Sequence, residues 1–206
     1  CKLFRKQVMT DYLKELNEVQ AAAVMQTNGP VMVIAGPGSG KTRVLTYRLS
    51  YLLESGVLPQ NILSLTFTNK AAKEMTERIS LVAGDKARKV WSGTFHSVFA
   101  RILRVEAPKI GYPSNFTIYD TDDSKSLITE IVKQLKLNPK DYNPNHIRNR
   151  ISNAKSNLVT PVMYANDPDL LEQDRLNKMP STAEIYKKYM ERCLAAGAMD
   201  FDDLLL

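Results

Sequence analysis

The stretch Val31-Met-Val-Ile-Ala-Gly-Pro-Gly-Ser-Gly-Lys-Thr42 decides how this chain is read. An apolar run, Val31 to Ala35, follows Asn28-Gly29-Pro30 and ends in a cluster of glycines, which predicts a short buried strand. Gly36, Gly38 and Gly40 let the backbone wrap so that several N–H groups point inward at phosphate oxygens. A helix that begins at Lys41 adds the positive end of its dipole. Lys41 then reaches the outer phosphates of a bound nucleotide, and the Thr42 hydroxyl ligates Mg²⁺. Ala35 stands where such loops usually carry a first glycine, a tolerable change because the inner glycines form the cradle. A glycine-rich turn with a chance lysine would need neither the strand before it nor the helix after it.

Outward from the loop, helices and strands alternate. Asn17 and Gln20 have the spacing of a capping box for a helix over residues 18–25. A helix is expected from Lys41 to about Leu53, a strand over Ile62–Phe67 and a helix from Asn69 to Ser80. A strand over Val90–Gly93 and a helix from Phe95 to Val105 complete the series. This order predicts an α/β fold with a parallel sheet and covering helices. Near Ala107-Pro108 the pattern changes to one extended run, Phe116–Asp120, then helices at about 122–136, 144–157 and 182–195. The expected organisation is an α/β phosphate-loop core over 1–108 and a mainly helical subdomain over 109–206.

Composition narrows the function. No apolar run reaches the ~18 residues a membrane span needs, and no signal-peptide pattern opens the chain. Two cysteines, Cys1 and Cys193, exclude a disulfide scaffold and favour a reducing compartment. Residues 1–107 carry 15 Lys and Arg against 8 Asp and Glu, while 108–206 carry 13 against 14, so the excess of positive charge lies in the first part. That bias suits a polyanionic partner, and a solvated surface explains it nearly as well. Hydrolysis would also require carboxylates at the end of a second apolar strand. Asp120, with Asp122 and Asp123 behind it, reads better as a helix N-cap, and Asp200-Phe-Asp-Asp203 reads as a new helix start after Ala195-Ala-Gly197.

Four segments in order carry a resemblance: Leu16-Asn17 with Gln20, AGPGSGKT at 35–42, Thr66-Phe-Thr-Asn-Lys-Ala-Ala72 with Met75, and Gly93-Thr-Phe-His96. Together with Met199-Asp-Phe-Asp-Asp-Leu-Leu205, they are similar to the UvrD/Rep/PcrA group of superfamily 1 DNA helicases over nearly the whole chain. The resemblance implies a RecA-like P-loop NTPase core with a helical insertion, using ATP and Mg²⁺. Gln20 would match the glutamine that reads the adenine edge. Ala35, Gly36, Pro37, Gly38, Ser39, Gly40, Lys41 and Thr42 would form the phosphate loop, with Arg43 a further contact. Thr66, Phe67, Asn69 and Lys70, then Thr94, Phe95 and His96, would line the track for single-stranded DNA, with Phe67 stacking on a base.

Each match has a plainer counterpart. Without the family, Phe67 reads as core, Asn69 or Thr68 as an N-cap, and His96 as a structural histidine. Trp91 reads as core, His146 as surface, and Ile185, Tyr186 and Tyr189 as a helix packing face. The family further implies 3′-to-5′ translocation, duplex unwinding in repair or replication, contact of the 109–206 region with a duplex junction, repair or replication proteins as partners and a cytoplasmic location. Its acidic metal motif lies beyond Leu206, and the chain opens on Cys1. The expectation is therefore an N-terminal fragment, largely inactive alone. A helicase–nuclease subunit would share these motifs. A P-loop small-molecule kinase would share the loop but gives no reason for the segment 66–72.

Overall fold

A computed structural model describes residues 12–206 and divides the chain into two compact units, meeting at Val98 and Phe99. Cys1 lies outside the described residues. The structure is α/β, with helix predominating and two small parallel sheets.

In the first unit, α1 (Glu18–Met25) starts at Asn17, whose side chain accepts from the Gln20 N–H while Gln20 reaches back to the Asn17 N–H. This reciprocal cap satisfies two N–H groups that the first helical turn leaves without partners. Helix α2 (Lys41–Glu54) starts at Gly40, in the left-handed region at φ +81°. Strands β1 (Leu63–Thr66) and β2 (Trp91–Thr94) pair in parallel, Leu63 beside Trp91 and Thr66 beside Thr94. The crossover between them is α3 (Asn69–Ala83), capped by Thr68. Leu49, Leu53, Ile62, Met75, Ile79 and Val90 form the core beneath them. Burying each large aliphatic side chain among these contributes roughly 1.5–3 kcal/mol. Trp91, expected in the core, is only half-buried.

The expected strand at Val31–Ala35 does not form. Residues 30–36 have neither helix nor strand, and Ile34 is 90% exposed. An apolar run becomes a strand only where a neighbour takes up its backbone N–H and C=O groups. Among the described residues β1 pairs only with β2, and β3 only with β4, so no partner is aligned with this segment.

Helix α4 (Phe95–Glu106) carries the chain into the second unit. There β3 (Thr117–Tyr119) leads into α5 (Thr121–Gln134), followed by α6 (Pro144–Ser156), α7 (Pro161–Ala165), α8 (Pro168–Leu176), α9 (Thr182–Ala195) and β4 (Ala198–Asp200). Asp120 caps α5 as expected, accepting from the Asp122 and Asp123 N–H groups. Those donors, Asp123 first, hold its carboxyl below the usual range. The main core gathers Ile128, Ile131, Ile147, Ile151, Ile185 and Tyr189 from α5, α6 and α9. Tyr186 is buried with them, and His146 lies at the surface, as expected.

The region around Asp200 differs from the sequence expectation. Residues 198–200 form a strand that pairs in parallel with β3, and no helix follows within the described residues. Capping geometry is nonetheless present, because Asp200 Oδ1 accepts from the Asp203 N–H at 3.0 Å and Asp203 Oδ2 from the Asp200 N–H at 3.0 Å. Lys155 Nζ lies 2.7 Å from a carboxylate oxygen of each, with its side chain 1% exposed. Tyr189 donates to Asp200 at 2.9 Å and stands 3.0 Å from the Ser124 hydroxyl.

Candidate nucleotide loop and nucleic-acid face

The loop between residues 35 and 42 is built by its glycines. Gly38 at φ +76° and Gly40 at φ +81° turn the backbone through conformations that a Cβ disfavours. Ser39 closes the turn, its hydroxyl donating to the Gly36 carbonyl at 2.6 Å. No side chain caps α2, which leaves its first-turn N–H groups facing the loop. Lys41 folds back over the cradle, donating to the carbonyls of Ala35 at 2.8 Å and Gly36 at 2.6 Å. Gln20 approaches from α1 and donates to the Ser39 carbonyl at 3.0 Å.

An open cavity of about 460 Å³ adjoins this loop, lined in part by Asn17, Gln20, Ile34, Ser39 and Lys41. The structure thus brings Gln20, Ala35, Ser39 and Lys41 to one cavity. Thr42 and Arg43 are exposed on the first turn of α2, and Arg43 lines a separate hollow of about 330 Å³ with Tyr47 and Arg78. Among the described residues no three His, Cys, Asp or Glu side chains group as a metal site. Within the loop the Thr42 hydroxyl is the side-chain donor suited to a magnesium ion held mainly by phosphate oxygens.

A second cluster lies at the carboxyl ends of β1 and β2. Because these strands run in parallel with Thr66 beside Thr94, the segments that leave them emerge at the same sheet end. Phe67 is 92% exposed, and its ring stands 5.4 Å from that of Phe95 at an interplanar angle of 38°. Its exposure replaces the core reading that its sequence position alone suggested. Asn69 and Lys70 are exposed at the start of α3, and His96 is exposed on α4. Thr66 is instead buried, its hydroxyl donating to the Thr68 carbonyl at 3.1 Å. Thr94 accepts from the Ser97 N–H at 3.3 Å and so holds the strand-to-helix turn.

Sequence reasoning placed Gly93 at a strand end but gave it no role. A Cβ there would stand 2.6 Å from Ser97 Oγ and 3.0 Å from Val98 Cγ2, so any other residue would have to displace both side chains at the start of α4. A glycine between Ser92 and Thr94 in a short strand was the available signal.

Residues 16–206 match the model of the UvrD/REP helicase N-terminal domain. The chain is 44% identical over 199 residues to an ATP-dependent DNA helicase PcrA of Staphylococcus epidermidis, covering 96% of this chain and 26% of that protein. It is 43% identical over the same length to an ATP-dependent DNA helicase PcrA of Staphylococcus aureus, again 96% of this chain and 26% of the relative. The chain therefore spans about a quarter of the length of these relatives. With the loop, the paired strand ends and the family match in place, the chain belongs to the UvrD/REP helicase family, whose N-terminal domain it represents.

Proposed function

We propose that the protein containing this chain is an ATP-dependent DNA helicase that translocates 3′ to 5′ on single-stranded DNA and unwinds duplex DNA in repair or replication. The observation that carries the reading is Phe67, an aromatic side chain held in water at the end of a parallel strand, beside a second aromatic. An exposed phenylalanine forfeits the burial that would stabilise it, and stacking on a base is worth roughly 1–3 kcal/mol whatever the base. The carboxyl ends of parallel strands are also where open α/β sheets receive ligands.

In this reading residues 1–108 form most of a RecA-like P-loop core, and residues 109–206 are a helical insertion that meets the duplex junction. The backbone N–H groups of Gly36, Gly38, Ser39 and Gly40 and the start of α2 receive the ATP phosphates. Lys41 must leave the carbonyls of Ala35 and Gly36 to pair with phosphate, a charge-for-dipole exchange that favours the nucleotide complex. Magnesium, held through Thr42, supplies charge neutralisation for phosphoryl transfer when bound. Gln20 attends the base, and Arg43 is a further nucleotide contact. Phe67 and Phe95 stack on DNA, while Asn69, Lys70 and His96 hold its backbone without reading sequence. Thr66 and Thr94 act beneath them, fixing the strand ends. The whole protein works in the cytoplasm, and this piece alone hydrolyses little ATP. No helix among the described residues is long and apolar enough to cross a membrane.

The test is ATP hydrolysis by the full-length protein, with and without single-stranded DNA. Strong stimulation by DNA, lost in Lys41→Ala and sharply reduced in Phe67→Ala, is the expected result. Hydrolysis indifferent to DNA would point to another P-loop enzyme and remove Phe67 from any DNA track.

A further inference from the structure

Gln20 is committed at both ends of its amide. Its Oε1 accepts from the Asn17 N–H at 3.1 Å, and its Nε2 donates to the Ser39 carbonyl at 3.0 Å. The orientation follows from chemistry, because exchanging oxygen and nitrogen would place a donor against an N–H and an acceptor against a carbonyl. The main chain of the same residue is fixed too, its N–H donating to Asn17 Oδ1 at 2.9 Å. On the loop side, a Cβ at Gly40 would stand 3.3 Å from Gln20 Nε2, so the amide lies directly against the loop backbone.

The Ser39–Gly40 peptide transmits this contact. The chain contains no cis peptide among its described residues, and a trans peptide is planar, with C=O and N–H pointing in opposite directions. A Ser39 carbonyl held toward Gln20 therefore sends the Gly40 N–H away from Gln20. That N–H immediately precedes Lys41 and belongs to the set that would receive a phosphate. From the other side Ser39 is tied to Gly36 through its hydroxyl at 2.6 Å.

We propose that Gln20 is a positioning residue for the phosphate loop: by pinning the Ser39 carbonyl it presets the Gly40 N–H for a polyphosphate, whatever base that polyphosphate carries. This rests on reading the loop as a nucleotide site, and it assigns Gln20 a role separate from recognition of the base.

The experiment compares the chain with its Gln20→Met, Gln20→Glu and Lys41→Ala variants by two measurements. The first is titration with ATP and with inorganic tripolyphosphate, which has no base. Gln20→Met weakens tripolyphosphate about three- to tenfold, as expected for one neutral hydrogen bond, and ATP by at least as much. A loss confined to ATP would overturn the proposal and leave Gln20 a base reader. Lys41→Ala weakens both ligands whatever Gln20 does, and a chain that binds neither ligand would remove the nucleotide reading.

The second measurement needs no ligand. Amide hydrogen exchange is followed at Gly36, Gly38, Ser39 and Gly40 in the free chain. Gln20→Glu keeps the oxygen that caps α1 but loses the donor to Ser39. The expected result is faster exchange in the loop with α1 still protected, in both binding-competent and binding-silent chains. Loop exchange equal to the unsubstituted chain in Gln20→Glu would overturn the strut and reduce Gln20 to a helix cap.

Discussion

Lys41 and Lys155 carry the same charge and use it in opposite ways. Lys41, on the loop of the first unit, is exposed and, among the described residues, holds two backbone carbonyls. Lys155, in the second unit, has a side chain 1% exposed and holds the carboxylates of Asp200 and Asp203, each at 2.7 Å. Burial disfavours its ammonium, but Asp203 and then Asp200 outweigh that and raise its pKa above the usual lysine value. A lysine that must change partners stays in water with weak partners. One that fixes a fold is buried with strong partners. Under the proposed function, the two units divide the same residue types between chemistry and architecture.

The sharpest way to break this comparison is to remove each ammonium. Lys155→Met leaves two buried carboxylates without a cation and is expected to destabilise the second unit by about 3–5 kcal/mol. Lys41→Met is expected to change stability by no more than about 0.5 kcal/mol while abolishing tight nucleotide binding. Urea unfolding read by thiol labelling at Cys193 reports the second unit, since this thiol is buried on α9 and pushed up to about 12, chiefly by burial. Equal losses from the two substitutions would contradict the division.

Glycines sharpen the same contrast at smaller cost. Gly197 has φ +58°, and a Cβ there would stand 2.9 Å from Cγ of the rigid Pro113 ring. Gly197→Ala is expected to cost about 2–4 kcal/mol, combining backbone strain with overpacking. Gly38 has φ +76° but nothing within 4 Å of such an atom. Gly38→Ala should cost only the backbone strain, about 1–2 kcal/mol, and act mainly on ligand binding. The same urea transitions, with circular dichroism for the first unit, separate the two.

The loop was legible because its signal is local: three glycines, a lysine and a threonine in eight residues specify their own turn. Helix starts were legible for the same reason, as Asn17 and Asp120 show with their complete capping boxes. The missed features depend on distant partners or on short elements. The apolar run at 31–35 looked like a strand, but pairing is not encoded within the run itself. Helices α7 and α8 lie outside the expected helices because they are short and each opens on a proline, Pro161 or Pro168; proline punctuates connections but also fits the first position of a helix, where its missing N–H costs nothing. Strand β4 has three residues, too few for a period to register. Lys155 meets its carboxylates only through the fold, 45 residues away in the case of Asp200. Thr66 and Phe67 are adjacent yet opposite in exposure, because β1 ends at Thr66 and Phe67 lies on the segment that leaves it.

The buried cluster also predicts a pH dependence confined to one unit. The Asp203 carboxyl is pushed up to about 6, by burial and by the neighbouring Asp200, against the pull of Lys155. Asp200 moves the other way, below the usual range: burial opposes this, and Lys155 with its hydrogen bonds overrides it. Between pH ~4 and the raised value, the folded state holds a proton on Asp203 that the unfolded chain has released. Its contribution is therefore full below the ordinary carboxylate range and is lost as pH rises toward 6. Asp200 contributes in the opposite sense, and that contribution is lost only as pH falls below ~4. The unsubstituted chain should show its greatest stability relative to Asp203→Asn near pH 4, with the advantage declining toward pH 6. A pH-independent difference in the Cys193-labelling midpoint would show that Asp203 does not titrate in the cluster.

The smallest expected effect tests whether burial, and not bond length, makes the difference. Arg192 reaches Glu130 at 2.8 Å, nearly the length of the Lys155 bonds, but its side chain is 41% exposed and that of Glu130 59%. Water already solvates both groups in the unfolded chain and continues to do so in the folded one, so the pair gains little from folding. Salt further screens what remains. Replacing Arg192 by Met keeps the stem over the helix and removes only the charge, with an expected cost of about 0.2–1 kcal/mol that shrinks in 1 M NaCl. The loss from Lys155→Met should hardly respond to salt, because ions do not enter the cluster. If the Arg192 variant lost as much as the Lys155 variant, geometry alone would set the strength of an ion pair here, and the contrast between the buried and the exposed lysine would lose its physical basis.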